Sequence, residues 1–226
     1  MRRRCSGIGV VGAALALGGC VLPLDIDIDT GTHVRGSGRV VEEVRFVQAF
    51  DAIVASGAVR VVVERTGNEG VTISAENNLL PYIRAEVHNG VLELGPEPGV
   101  ALSPRREIVI YVESYEVVEL QASGATHMEV DVGWVEDLRV TVSGASVVEA
   151  WGAADRASVW VSGASRYDAL DLETLDVQVG ASGASEARVW ARYFLDADAS
   201  GASRVRFRGN PAVTARVSGA STVTRW

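Results

Sequence analysis

A tetrapeptide, Ser-Gly-Ala followed by Ser or Thr, recurs through the second half of the chain and constrains its fold more than any other feature. The copies follow one another at intervals of 18 to 20 residues, and a truncated copy, Ser56-Gly57-Ala58, stands earlier. The six complete copies begin at Ser123, Ser143, Ser162, Ser182, Ser200 and Ser218. A nearly fixed period of this length is typical of stacked repeats, in which each unit buries its apolar face against its neighbours.

Apolar and polar residues alternate on both sides of the motif. In the copy at Ser143, the residues one, three and five positions before the serine are Val142, Val140 and Leu138, and the residues five and seven positions after it are apolar again. A period of two is that of a β-strand with one buried face. Each repeat is therefore expected to consist of a strand, a tight turn, a second strand and a connector.

Short strands in a constant register, without helices between them, predict an all-β fold. The expected architecture is a parallel β-solenoid (β-helix), right-handed, with coils of 18–20 residues stacked about 4.8 Å apart. Glycines of the motif are expected at the corners, where a left-handed backbone conformation and small stacked neighbours are needed. These corner glycines are Gly124, Gly144, Gly163, Gly183, Gly201 and Gly219. A serine ladder that binds a ligand or ordered water is the alternative interpretation of the motif.

The first 19 residues have the pattern of a secretory signal. Arg2-Arg3-Arg4 is followed by an apolar run too short to span a bilayer, and the segment closes with Leu17-Gly18-Gly19-Cys20. Small residues directly before a cysteine resemble the lipobox of bacterial lipoproteins, whose cysteine becomes the lipidated first residue. Cys20 is therefore the expected lipidation site and attaches the protein to a membrane. An ordinary cleaved signal that leaves Cys20 as a free thiol is the alternative.

Composition narrows the classes of partner and chemistry. Loss of residues 1–19 would leave a net charge of about −11, which disfavours nucleic acid as a partner. The three histidines lie far apart, and the sequence contains no Cys/His cluster, phosphate-binding glycine loop or nucleophile elbow. The sequence therefore predicts neither a cofactor nor a metal site.

Four segments are expected along the chain. They are the signal (1–19), an acidic tether (20–35), a less regular N-terminal β subregion (36–104) and the repeat solenoid (105–226). Asn89-Gly90 between two Val-containing runs predicts a β-hairpin in the third segment. Because a solenoid end must be capped, the N-terminal subregion is expected to pack against the end of the repeats.

Several of these stretches carry a family resemblance. They are Gly36-Ser37-Gly38 before a Val-rich strand, Phe50-Asp51-Ala52-Ile53 before Ser56-Gly57, residues 75–80 before residues 87–94, and the Ser-Gly-Ala-Ser series. Together they resemble the putative auto-transporter adhesin, head GIN domain family, over about residues 37–220. The resemblance implies a cell-envelope protein rich in β-helix, and it carries over neither an activity nor site residues.

Charged side chains form one outward column, six residues after each motif serine. It begins with the acids Glu129, Glu149 and Asp168 and continues with Arg188 and Arg206. Three acids on neighbouring coils can share a divalent cation or act as a carboxylate pair in hydrolysis. The favoured interpretation is a solvated face on which the arginines relieve part of the repulsion.

A second outward column lies eight residues after each serine and contains three of the five tryptophans. The column begins at Asp131, and its candidate binding residues are Trp151, Leu170, Trp190, Arg208 and Trp226. The column predicts an exposed apolar stripe with Arg208 between Trp190 and Trp226, where cation–π stacking is favourable. Exposed stripes of this kind usually mark a binding surface, and flat aromatic ladders suit sugar rings. The alternative is that connectors cover the column or turn it into the core.

Two function classes remain. The favoured one is a non-enzymatic, lipid-anchored envelope protein that presents a rigid solenoid to a polysaccharide or an envelope protein. The alternative is a carbohydrate-active β-helix lyase or hydrolase, which needs carboxylates that converge in a cleft. Because Val21 rather than Asp follows Cys20, outer-membrane sorting is expected. The last coil, up to Trp226, is also expected to offer an open edge for self-association or for a partner strand.

Overall fold

The computed structural model describes residues 31–226, which form one compact unit. The expected signal (1–19) and the lipidation site Cys20 lie outside the described residues. Part of the expected tether is folded, because β1 (Thr32–Arg35) pairs in parallel with β8 (Val100–Ser103). Within the described part of the chain, regular structure therefore begins before the expected boundary at residue 36.

Strands account for nearly all of the regular structure. Apart from the pair β1 and β8, the strands form one continuous 15-stranded sheet. They are β2 (Val40–Arg45), β3 (Ala52–Ala55), β4 (Arg60–Arg65), β5 (Gly70–Glu76), β6 (Ile83–His88), β7 (Val91–Pro96), β9 (Val109–Ser114), β10 (Glu119–Ala122), β11 (His127–Val142), β12 (Val147–Val161), β13 (Arg166–Ala181), β14 (Glu186–Ala199), β15 (Arg204–Arg208), β16 (Ala212–Val217) and β17 (Thr222–Arg225). A 3-10 turn spans Leu80–Tyr82.

Strands β11 to β14 each make most of one coil, and each pairs in parallel with the next. Val140 pairs with Val159, and Val159 pairs with Val179, so that equivalent positions of the repeat stack directly. The prediction of an all-β parallel solenoid is therefore confirmed. The expected connectors are instead bends inside these long strands, where the register shifts, and the variable repeat length falls at these bends.

The interior is filled by the alternating apolar residues, as the period of two predicts. Val140, Val159 and Val179 are each at most 1% exposed, and Met128 and Tyr167 are among the largest fully buried side chains. Complete burial of a Val or Leu side chain stabilises a fold by about 1.5–3 kcal/mol. Only two cysteines occur in the sequence, so the described unit depends on this stacked core and on the ladder of backbone hydrogen bonds.

The motif forms the corners. The six corner glycines have φ between 70° and 78°, and the amide that follows each one donates to the glycine carbonyl of the preceding coil at 2.7–2.8 Å. The fourth motif residue points inward and is at most 9% exposed in every copy. Two of these hydroxyls donate to buried carbonyls, Ser185 to Val161 at 3.1 Å and Ser203 to Ala181 at 3.0 Å. The fourth-position serines are therefore part of the core, and they do not form a ligand-binding ladder.

The N-terminal coils do not stack in chain order. The truncated motif joins β3 to β4, and this coil lies between two others that come later in the sequence. On one side, β7 pairs with β3 and β9 pairs with β4. On the other side, β10 pairs with β3 and β11 pairs with β4. Strands on both sides of residue 104 therefore belong to the same end of the solenoid. The division into residues 36–104 and 105–226 describes sequence regularity, not a boundary in the sheet.

Antiparallel strands close this end of the solenoid. β6 and β7 form the predicted hairpin, with Asn89 and Gly90 at φ of 52° and 81°. β5 pairs in an antiparallel manner with β9, and β2 pairs in the same manner with β5. A change from parallel to antiparallel pairing ends the stacking of coils, so these strands act as the expected cap.

A buried carboxylate holds the cap together. Glu76 is fully buried at the end of β5, and its side chain accepts backbone hydrogen bonds from Arg105 at 2.8 Å and from Gly38. Gly36 lies so close to this carboxylate that a Cβ atom could not fit. Burial by itself raises the pKa of Glu76. The backbone hydrogen bonds and the charge of the nearby Arg105 lower the pKa by more than burial raises it, so the pKa lies below its usual value of 4.5.

Replacement of Glu76 with glutamine is expected to destabilise the cap at neutral pH but to have a smaller effect in acid. A carboxyl with a lowered pKa in the folded state contributes stability above its unfolded pKa, and this contribution is lost as the pH falls through the folded pKa. Urea unfolding midpoints at pH 7 and at about pH 3 measure the difference. The exposed Glu107→Gln is the matched control. Equal losses for Glu76→Gln at both pH values would contradict the role of the charge.

Candidate functional site

The acidic column is present on the outer face of the solenoid. Glu129 pairs in register with Glu149, and Glu149 pairs with Asp168. Two of the three carboxylates have an arginine partner: Arg60 lies 2.7 Å from Glu129, and Arg188 lies 2.9 Å from Asp168. Within residues 31–226, no group of three or more His, Cys, Asp or Glu side chains is arranged to hold a metal ion. Arginine charges thus offset two of the three acids, and the role of the column stays a prediction.

Glu186 is the centre of a larger ion-pair network further along the same face. Arg188 lies 3.0 Å from this carboxylate, Arg166 lies 3.5 Å from it and Arg206 lies 3.6 Å from it. Burial raises the pKa of Glu186, but the hydrogen bond from Arg188 and the surrounding arginine charges outweigh burial and hold the pKa below its usual value. One carboxylate is thus shared by three guanidinium groups.

The tryptophan column differs from the expected stripe. Trp151 pairs with Asp171, and Trp190 pairs with Glu173, because the register shifts in the bend of β13. Leu170 therefore does not stack in register between Trp151 and Trp190, and acidic residues separate the two rings along the sheet. The physical reason is that extra residues enter at a bulge, which displaces the side chains that follow.

The cation–π contacts also differ in their pairing. Arg208 stacks over the ring of Trp190, with 4.2 Å from the guanidinium carbon to the ring centre. Trp226 does not complete this stack. Its ring contacts Arg188 and Arg206 of the charged column, at 5.1 Å and 5.4 Å.

All five tryptophans of the chain lie on the outside of the solenoid. Trp134, Trp151, Trp160 and Trp226 are 56%, 38%, 46% and 61% exposed, and Trp190 is partly exposed beneath Arg208. The sequence columns missed Trp134, which lies in the bend of β11, and Trp160 in β12. Trp160 stands two positions before Ser162, so the same alternation that placed the core would have placed it outside.

Shallow grooves run beside two of these tryptophans. Trp151, Leu170, Glu149, Asp168 and Asp171 line one groove of about 310 Å³. The second, of about 340 Å³, lies beside the corners on the other sheet face and includes Trp160, Ser182 and Asp198. In that groove the indole of Trp160 covers Gly180, whose missing side chain leaves room for the ring.

The last coil is formed by β16 and β17. Every residue of β16 is exposed, including Val213 at 44% and Val217 at 49%. Self-association through the C-terminal edge stays a prediction.

No helix among residues 31–226 is long and apolar enough to cross a membrane.

The fold and its outer surface define a class: a capped parallel β-solenoid with aromatic and charged residues on its outside. The family model described as "Putative auto-transporter adhesin, head GIN domain" matches residues 49–211. The chain belongs to this family, as the resemblance predicted. No curated protein matches the chain.

Solved structures share the fold at low sequence identity. A putative adhesin from Bacteroides fragilis superposes with a TM-score of 0.66 at 18% identity, covering 85% of this chain and 98% of its own. A putative lipid binding protein from Parabacteroides distasonis superposes with a TM-score of 0.57 at 18% identity, and the match covers 86% of this chain and 100% of that protein. A putative adhesin from Parabacteroides merdae superposes with a TM-score of 0.50 at 21% identity, and the match covers 87% of this chain and 100% of that protein. At these identities the comparison establishes the fold alone.

Proposed function

We propose that this protein is a non-enzymatic, lipid-anchored binding module of the cell envelope, which presents a rigid β-solenoid to a surface polymer or to another envelope protein. The family and two of the three solved structures are described as putative adhesins, and the third as a putative lipid binding protein, which supports a binding role and an envelope location. Attachment through a lipid on Cys20 and sorting to the outer membrane are the finer parts of the proposal, and they rest on the lipobox and on Val21.

The outward position of all five tryptophans is the observation that carries the binding role. Tryptophan is usually among the more buried residues of a protein, and its exposure costs hydrophobic stabilisation unless a partner covers it. Aromatic residues are enriched in the buried centres of interfaces and supply flat surfaces for stacking. A continuous parallel sheet holds these rings at fixed positions, so binding requires little ordering of the protein.

A glycan array probed with residues 21–226, which include the whole compact unit, is expected to identify bound glycans. For a neutral glycan that binds, Trp151→Ala and Trp160→Ala are each tested, and at least one is expected to weaken binding roughly tenfold or more, as the loss of a central aromatic contact does. Tyr115→Ala is the matched control, because Tyr115 is 63% exposed and lies outside the repeat corners. Unchanged binding in both tryptophan variants, or equal loss in Tyr115→Ala, would contradict the role of the tryptophans.

A carbohydrate-active enzyme is the second candidate, and one observation favours it. Glu149, Asp168 and Asp171 line the same groove as Trp151, which is the combination of carboxylates and an aromatic platform that glycoside hydrolysis uses. Against this, Asp168 is ion-paired with Arg188 at 2.9 Å. Each glycan that binds is therefore incubated with the protein and assayed for new reducing ends. Cleavage that Glu149→Gln abolishes would favour the enzyme over the binding module.

A further inference from the structure

The last coils carry a charge opposite to that of the rest of the chain. Residues 199–226 contain five arginines and no aspartate or glutamate, in a chain whose net charge is −8. Three of these arginines, Arg204, Arg206 and Arg208, occupy alternate positions of β15. Alternate residues of a strand point to the same face at intervals of about 6.6–6.8 Å. They therefore form a row on the outside of the solenoid.

Carboxylates neutralise only part of this row. Glu186 lies 3.6 Å from Arg206 but is shared with two other arginines. Among the residues that the structure describes, no carboxylate lies within 4.0 Å of Arg204 or Arg208. Arg216 of the same stretch is different, because it lies on the other face of the solenoid and pairs with two aspartates. The row of Arg204, Arg206 and Arg208 thus carries excess positive charge on one face.

Aromatic rings accompany the row. Trp190 lies beneath the guanidinium of Arg208, and Trp226 lies beside Arg206 with 61% of its surface exposed. The hydroxyls of β17 continue the face, because Thr222 and Thr224 follow Arg204 and Arg206 in register. We call this surface the arginine face, defined by Arg204, Arg206, Arg208, Trp190 and Trp226.

We propose that the arginine face binds an anionic polysaccharide, one whose sugars carry carboxylate or sulfate groups. A guanidinium group offers a planar pair of donors that matches a carboxylate or a sulfate, and an exposed indole offers a flat surface to a sugar ring. A regular row of such groups along a rigid strand suits a linear polymer with charges at regular intervals. The inference rests on the proposed binding role and specifies the chemical class of the ligand and the place where it binds.

The test is a calorimetric titration of residues 21–226 at low ionic strength with two acidic polymers, dextran sulfate and polygalacturonate, and with neutral dextran. Both acidic polymers are expected to bind, neutral dextran is not, and added salt is expected to weaken binding because screening reduces the attraction. The double variant Arg204→Ser and Arg208→Ser is expected to lose roughly tenfold or more in affinity, since charge-assisted hydrogen bonds are removed.

Arg216→Ser is the control for position, because it removes one arginine charge from the same stretch of sequence but from the other face of the solenoid. It is expected to leave the affinity unchanged, and the melting temperatures of all the variants show whether they are folded. Equal affinity for dextran and dextran sulfate, or no binding of either acidic polymer, would overturn the inference. An equal loss in Arg216→Ser and the double variant would also overturn it.

Two further probes separate other anionic partners. Vesicles of phosphatidylglycerol and a single-stranded oligothymidylate are titrated under the same conditions, and binding to either in place of the two polymers would overturn the inference in favour of a lipid surface or a nucleic acid. If the glycan array finds neutral glycans alone, bound through Trp151 or Trp160, the inference fails while the proposed binding function stands. If no glycan and no envelope protein binds, both fail.

Discussion

Replacement of Gly163 with valine is expected to lower the free energy of unfolding by about 2–6 kcal/mol, because two separate costs add. Gly163 has a φ of 75°, a conformation in which a β-branched residue is strained by about 1–3 kcal/mol. A Cβ atom there would also lie 2.6 Å from the carbonyl oxygen of Gly144 in the preceding coil, and overpacking of this kind costs about 1–3 kcal/mol. Urea unfolding followed by circular dichroism measures the loss.

Gly67→Val separates the two costs. Gly67 has nearly the same φ, 79°, but no atom lies within 4 Å of its Cβ position, so only the backbone strain is expected. Ser165→Ala is a second control from the same corner. The Ser165 hydroxyl is buried and has no hydrogen-bond partner among the described residues, so its removal is expected to cost little. Equal losses for Gly67→Val and Gly163→Val would show that close stacking contributes nothing at the corner.

Replacement of Cys20 with alanine is expected to move nearly all of the protein from the membrane fraction to the soluble fraction. Lipidation of a bacterial lipoprotein requires the cysteine thiol, and acyl chains attach a protein to a bilayer at about 0.8 kcal/mol for each buried CH₂ group. Fractionation of cells labelled with an alkyne analogue of palmitate measures both location and lipidation.

Cys5→Ala is the matched control for the anchor, because Cys5 is the only other cysteine and lies within the expected signal. It is expected to leave labelling and membrane location unchanged. Membrane retention of the Cys20→Ala variant, or label that disappears in Cys5→Ala, would contradict the lipoprotein prediction.

The regular half of the fold could be predicted because its information is local. The period of two around each serine identifies the buried residues, and the glycine at each corner has the positive φ that the motif predicts. Which strands pair with each other cannot be predicted from this local pattern. The alternation in β3 is the same whether its neighbour is β7 or β10, so the sequence did not reveal that the coil of β3 and β4 lies between two later coils.

The candidate site was predictable to a similar extent. The acidic column lies close to its motif, within a constant register, and the structure brings Glu129, Glu149 and Asp168 to adjacent positions. The tryptophan column lies two residues further, beyond the point where bulges begin, so Leu170 no longer aligns with Trp151. The burial of Glu76 could not be predicted from the residues around it, because it depends on Gly36 and on the backbone of Arg105, both of which are distant in sequence.

The position of the β3–β4 coil between two later coils affects how the protein folds during synthesis. During synthesis, β3 and β4 leave the ribosome before either of the strand pairs that flank them, so both of their edges stay open until residues 91–130 have followed. Long-range pairing of this kind is slow to form because a large loop must close first. Each later coil needs only the one made before it and adds about 20 residues at a time. The slow step of folding is therefore expected in the N-terminal coils, and the repeats are expected to grow from them in the order of translation.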